Sequence, residues 1–156
     1  MQDYKNEFEV LLVEDNPNDA ELTLRALRSS VGGERLTYVD DGAKALDLIF
    51  GGGGPVERAG ARPPRMILLD LKLPKVDGLE VLRRVKADER TRAIPVVVLT
   101  SSKEERDISE SYRLGVNSYL VKPVGFDEYV AAVREAGRYW LVLNQPALGK
   151  SQGSGL

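Results

Sequence analysis

Val10-Leu11-Leu12-Val13-Glu14-Asp15-Asn16-Pro17 is the stretch on which the reading of the fold turns. The mostly apolar run Phe8–Glu14 has the pattern of a strand buried on both faces. Asn16-Pro17 then reads as an N-cap followed by proline at the first helical position. Asp19 and Glu21 favour that helix start electrostatically. A strand covered on both sides that passes straight into a helix is the opening of a parallel α/β sheet.

The same alternation continues outward from this segment. The first helix has Ala20, Leu24, Leu27 and Val31 on its inward face. Leu36–Val39 is a short second strand, and Gly42–Phe50 a second helix with Ala43, Leu46 and Ile49 turned inward. The segment from Gly51 to Pro64 is too rich in glycine and proline for regular structure and reads as a flexible surface insertion. Met66–Asp70 is the third strand, and Gly78–Asp88 a helix with Leu79, Leu82 and Val85 on one face. Pro95–Leu99 is a β-branched fourth strand. Ser102-Lys103-Glu104-Glu105 resembles a capping box that opens a fourth helix running to Leu114. Gly115 suits its left-handed stop. Ser118–Val121 is the fifth strand, and Phe126 to Asn144 a long last helix with Phe126, Val130, Val133 and Gly137 as its core stripe. Residues 8–144 form one domain, and 145–156 read as a disordered tail. Five strands alternating with five helices and right-handed crossovers favour a flavodoxin-like, doubly wound sheet of order 2-1-3-4-5.

In such a sheet, residues just past the carboxyl ends of the strands converge on one crevice. Glu14 and Asp15 follow the first strand, Asp70 ends the third, Thr100 follows the fourth and Lys122-Pro123 follows the fifth. Any one of these has a plain structural explanation: a cap, a turn or a solvated cation. Jointly they fall at strand ends on the same edge. Two carboxylates ~4 Å apart repel by about 4 kcal/mol at an effective dielectric of 20, so three together call for a counter-charge. An all-oxygen donor set favours Mg2+ or Mn2+ over zinc. Asp70 then suits a nucleophile that forms an aspartyl phosphate. Lys122 would neutralise one phosphoryl oxygen, and the Thr100 hydroxyl would hydrogen-bond another.

Composition narrows the classes further. The 156 residues carry 22 Lys plus Arg against 24 Asp plus Glu, so no basic field points to direct nucleic-acid binding. No apolar run approaches the ~20 residues that span a bilayer, and the polar amino terminus is not a secretory signal. The absence of cysteine fits a reducing cytoplasm. The absence of histidine means the chain has no phosphohistidine of its own. No Gly-x-x-x-x-Gly-Lys loop supports nucleotide binding.

Leu11-Leu12-Val13-Glu14-Asp15-Asn16, Leu68-Leu69-Asp70-Leu71-Lys72-Leu73-Pro74 with Asp77-Gly78, Val98-Leu99-Thr100-Ser101 and Tyr119-Leu120-Val121-Lys122-Pro123 together resemble the response-regulator receiver domains of two-component signalling. The likeness spans Phe8 to Asn144. Asn16-Pro17-Asn18-Asp19, the glycine-rich insertion and the extended last helix are similar to stand-alone regulators paired with bacterial phytochromes. The resemblance implies that Asp70 accepts a phosphoryl group from a sensor histidine kinase. It implies that Glu14, Asp15, Asp70 and the backbone carbonyl of Lys72 hold Mg2+, and that Thr100 and Lys122 grip the phosphoryl group. It also implies a cis Lys122–Pro123 bond, and Tyr119 as a switch aromatic; the alternative for Tyr119 is a half-exposed strand residue. Lys72 stands where many relatives carry a neutral side chain, and its ammonium is free to pair with Glu14 or to screen the acyl phosphate.

The expectation is therefore a signalling module and not an enzyme, working through a protein-interaction surface because little sequence follows the last helix. The alternatives are a receiver-like binding module that is never phosphorylated and a phosphatase with an aspartate nucleophile. Lys72 argues against the phosphatase, because it occupies the place of that class's second acid. The apolar run Tyr139-Trp140-Leu141-Val142-Leu143 suggests a homodimer through the last helix. The alternative is Trp140 folding back on the chain's own first helix.

Overall fold

The three central strands form where apolar residues run together, because both sheet faces are covered there, while the edge strands carry Thr37 and Ser118 and are less buried. In the computed structural model, which describes residues 8–31, 35–52 and 63–147, β1 spans Val10–Val13, β2 Leu36–Val39, β3 Met66–Leu69, β4 Val96–Thr100 and β5 Ser118–Val121. All neighbouring pairs are parallel, in the order β2-β1-β3-β4-β5. The expected fold class and strand order are those observed. The side-chain period of two divides each central strand between two layers. Leu11, Val13, Ile67, Leu69, Val96 and Val98 face one cluster; Val10, Leu12, Met66, Leu68, Val97 and Leu99 face the other.

Helices α2 (Gly42–Phe50) and α3 (Gly78–Ala87) cover the first cluster, supplying Ala45, Ile49, Val81, Leu82 and Val85. Helix α4 (Glu105–Leu114) lies beside α3 and adds Leu114 at the margin. Helices α1 (Pro17–Val31) and α5 (Phe126–Arg138) cover the second cluster, with Ala20, Ala26, Leu27, Tyr129 and Val133. The inward stripes differ from the sequence expectation in detail. Ala45 replaces Ala43, Val81 joins Leu82, and Leu79 is half-buried. Leu24 is also half-buried, and the side chain of Val31 lies outside the described residues. In α5, Tyr129 takes the core position and Phe126 is exposed, because the buried residues recur as Tyr129, Val133 and Gly137.

The caps explain where helices begin and end. Asn16 Oδ1 accepts from the N–H groups of Asn18 and Asp19 at 2.9 and 3.0 Å, as expected of an N-cap. Asp77 caps α3 through the N–H of Glu80 at 3.0 Å. The expected capping box before α4 does not form. Glu104 is the N-cap residue without a side-chain bond, and Ser102 instead donates to Asp107 Oδ2 at 2.6 Å. Gly115 does stop α4 in the left-handed region, at φ 103°.

The last helix departs from its expected form. Regular α-helix ends at Arg138 and a π-helical turn follows over Tyr139–Leu143, closed by the Asn144 N–H on the Tyr139 carbonyl at 2.6 Å. This turn sets Leu141 in the second cluster and Trp140 against it, while Tyr139, Val142 and Leu143 stay exposed. Trp140 thus folds back on its own domain. Residues 53–62 of the insertion and 148–156 of the tail lie outside the described residues, so the expectations of flexibility and disorder there do too. Among the described residues no helix is long and apolar enough to cross a membrane.

Candidate functional site

The register of the sheet assembles the site. Val13 pairs with Leu69 and Leu69 with Val98, so Glu14, Asp70 and the end of β4 lie side by side. The Asp70 N–H bonds the Val13 carbonyl at 3.0 Å, and the Lys122 N–H bonds the Thr100 carbonyl at 2.7 Å. The sheet's own hydrogen bonds therefore place both the acid and the lysine. Carboxylate oxygens of Glu14, Asp15 and Asp70 all lie within 4.8 Å of one another. Glu14 and Asp70 are buried and Asp15 is exposed at the rim.

One ammonium balances this cluster. Lys122 Nζ lies 2.7 Å from Glu14 Oε1, 2.9 Å from Asp19 Oδ2 and 3.0 Å from Asp70 Oδ2. A lysine has three N–H donors, so each is matched to a carboxylate. Burial alone pulls the Lys122 ammonium toward neutrality, but hydrogen bonds to Asp19 and Glu14 and the charges of Asp70 and Glu14 hold it firmly protonated. For Asp70 burial acts upward. The charge of Lys122 and hydrogen bonds with Thr100, Lys122 and Glu14 outweigh it and keep the carboxyl below its ordinary range. Burial first, and then the neighbouring Asp70 charge, raise Glu14 to about 7 against the bond from Lys122. The surroundings thus oppose ionisation of Glu14 and favour the ionised form of Asp70.

The donor set fits a hard divalent ion. Three carboxylates at one strand edge supply oxygens only, and Mg2+ commonly takes one or two carboxylates directly while keeping positions for water and phosphoryl oxygens. The Lys72 N–H bonds Asp70 Oδ1 at 3.3 Å, which sets its peptide at the edge of the cluster. Its side chain pairs with Asp107 Oδ2 at 3.8 Å and not with Glu14. Asp107 draws it away because that carboxylate is buried in α4, with Ser102 as its other partner. Thr100 is fully buried, and its Oγ1 meets the Ser102 N–H at 3.5 Å. Tyr119 is half-buried and donates to the Ser102 carbonyl at 3.0 Å. Thr100 and Tyr119 therefore meet at one residue of the β4–α4 loop.

Two features correct the sequence reading. Among the described residues there is no cis peptide bond, so Lys122–Pro123 is trans; the Lys122 N–H prolongs the sheet and delivers the side chain without it. Sequence alone predicts Asp19 only as a favourable charge at a helix start, yet it touches the lysine of the site. The available signal was its place in the first turn of the helix that follows the acidic strand end. Close by, Lys75 holds a left-handed backbone at φ 67°, uncommon for a residue with a side chain, and no sequence pattern announces it.

Comparison with known proteins agrees with this geometry. The family model described as response regulator receiver domain matches residues 10–134. The probable methanogenesis regulatory protein FilR2 of Methanothrix harundinacea is 46% identical over 88% of this chain and 86% of its own length. Response regulator Rcp1 of Synechocystis is 39% identical over 85% of this chain and 88% of its own. Its Mn2+-bound crystal structure superposes with a TM-score of 0.79, at 37% identity over 88% of this chain and 97% of that one. The phosphorylated cyanobacterial phytochrome response regulator RcpA gives a TM-score of 0.80, with 38% identity over 90% of this chain and 98% of that one.

Proposed function

The chain belongs to the response regulator receiver family, and from that premise we propose that Asp70 is its phosphoacceptor, charged by a separate sensor histidine kinase. The observation that carries this reading is the ion pair of Asp70 with Lys122 at 3.0 Å inside a three-carboxylate cluster. Asp70 Oδ attacks the phosphorus of the kinase's phosphohistidine. A P–O bond forms, the P–N bond breaks, and the electron pair stays on the imidazole nitrogen. Asp70 serves as nucleophile because its carboxyl is held ionised. Lys122 neutralises one phosphoryl oxygen and the Thr100 hydroxyl bonds another; one such donor is worth roughly 10²–10³ in rate.

Glu14, Asp15, Asp70 and the backbone carbonyl of Lys72 would hold Mg2+. When bound, the ion offsets the carboxylates' mutual repulsion and withdraws charge from the phosphoryl oxygens. The bond from Tyr119 to the Ser102 carbonyl couples the loop after Thr100 to the face of β5 and α4. A shift of Thr100 toward the phosphoryl group would alter that face, the surface we assign to output. The phosphoryl group moves this equilibrium only by its differential affinity for the two states.

Wild-type protein incubated with acetyl phosphate and Mg2+ is expected to form a base-labile phosphoprotein, and Asp70→Asn none. Equal labelling of the two would sink the assignment of Asp70. No labelling of either would favour a binding module that works unphosphorylated. The kinase we infer is a bacterial phytochrome, because RcpA is a phytochrome response regulator by its description; a cytoplasmic location goes with that partner. Tyr139, Val142 and Leu143, exposed at 49%, 56% and 60%, support a homodimer through the last helix even though Trp140 faces inward. Sedimentation at tens of micromolar should give twice the chain mass, and a monomer with and without phosphoryl donor would rule the dimer out.

A further inference from the structure

We propose that Asp19 is a positioning residue for Lys122: the one carboxylate that keeps hold of the ammonium when metal and phosphoryl group claim its other partners. The inference rests on the phosphoacceptor reading of Asp70 and extends it to a residue outside the acidic set at the strand ends.

Lys122 spends its three donors on Glu14, Asp19 and Asp70 at 2.7, 2.9 and 3.0 Å. Two of these acceptors belong to the cluster that suits a divalent ion, and Asp70 is also the atom to be phosphorylated. Asp19 lies outside that cluster. When the metal draws on Glu14 and Asp70, the ammonium keeps a full negative charge only at Asp19. A buried lysine with no remaining carboxylate would either stay on Glu14 and Asp70, in competition with the ion, or swing away from the phosphoryl oxygens. Asp19 prevents both.

Asp19 is itself rigidly held. Its N–H bonds the Asn16 side chain at 3.0 Å, and its carbonyl accepts from the Thr23 hydroxyl at 2.7 Å. Thr23 is fully buried and meets the Tyr129 hydroxyl at 3.0 Å, which ties this turn of α1 to α5. The Asp19 side chain remains 30% exposed, against 8% for Lys122. A partly solvated anion tolerates its charge whether or not the site is loaded, as an anchor requires. Small displacements of a charge-neutralising group cost much in rate, so fixing the lysine has a measurable value.

The test is a double-mutant cycle with Asp19→Asn and Lys122→Ala, read by Asp70 labelling with acetyl phosphate and by calorimetric Mg2+ affinity without phosphoryl donor. Lys122→Met, which keeps the aliphatic stem, replaces Lys122→Ala if the latter does not fold. Asp19→Asn alone should slow labelling by about 10-fold and weaken Mg2+ binding by about 3-fold. In the background lacking the ammonium it should change either by less than about 2-fold. The proposal is overturned if Asp19→Asn matches wild type in both readouts, or if its effects are the same size without Lys122. A wild type that takes no label refutes the phosphoacceptor reading instead, while the Mg2+ cycle still decides the role of Asp19.

Discussion

Lys122→Ala is expected to lower the unfolding free energy by about 3–5 kcal/mol in metal-free buffer above neutral pH. The ammonium is the shared partner of Glu14, Asp19 and Asp70, and both Glu14 and Asp70 are buried. Removing it leaves like charges facing one another with no compensating cation. The sign of the pH dependence follows from Glu14, whose carboxyl sits at about 7 against an ordinary 4.5. A raised acid favours the folded state fully below its unfolded value and loses that contribution as pH rises through its folded value. Without Lys122 the group rises further, so the penalty grows with pH, and the variant is less impaired at pH 6 than at pH 8. Urea titrations at the two pH values measure this. Added Mg2+ should stabilise the variant more than wild type, since it replaces the missing charge. A loss under about 1 kcal/mol, or equal Mg2+ stabilisation of both proteins, would contradict the account.

Gly78→Ala is the second large effect. Gly78 opens α3 against the segment that follows β3. A Cβ there would overlap the Asp70 carbonyl oxygen and stand 2.5 Å from Leu71 Cα, both of them backbone. Alanine is favoured over glycine in a helix by about 1 kcal/mol, but relieving a backbone overlap costs about 3 kcal/mol, so the clash wins. The Gly78 N–H also bonds the Leu71 carbonyl at 2.9 Å, so relief comes by moving the peptide that carries Asp70. The variant should unfold at lower urea and label more slowly with acetyl phosphate than wild type. Unchanged stability would show that the helix start can withdraw without disturbing the strand end.

How far the sequence carried the reading depends on the range of the interaction. The strands and their order were legible because four-residue apolar runs, parallel pairing and right-handed crossovers are local or topological rules. Glu14, Asp15, Asp70, Thr100 and Lys122 converge because each ends or follows a strand, a position that can be counted along the chain. The Asp19–Lys122 pair spans 103 residues and depends on how α1 leans over the edge, which no periodicity encodes. Ser102 has capping chemistry, but its Oγ accepts from the Glu104 N–H at 3.3 Å while donating to the buried Asp107, one residue short of the Glu105 N–H that a capping box would use. Phe126 reads as core by hydrophobicity, but the phase of α5 is set by Tyr129, whose hydroxyl has a buried partner in Thr23. The π-helical turn over Tyr139–Leu143 begins two residues after Gly137, but a glycine inside a helical pattern does not by itself distinguish such a turn from a continuing α-helix.

The saturation of the Lys122 ammonium has a bearing on selectivity. An unengaged cation beside an aspartate would attract inorganic phosphate and other small anions. Here the resting lysine has no donor left to offer a stray anion, and the surrounding oxygens repel one. A phosphoryl group would then be admitted only where Glu14, Asp15 and Asp70 were engaged by a divalent ion and left an N–H of Lys122 free to meet it.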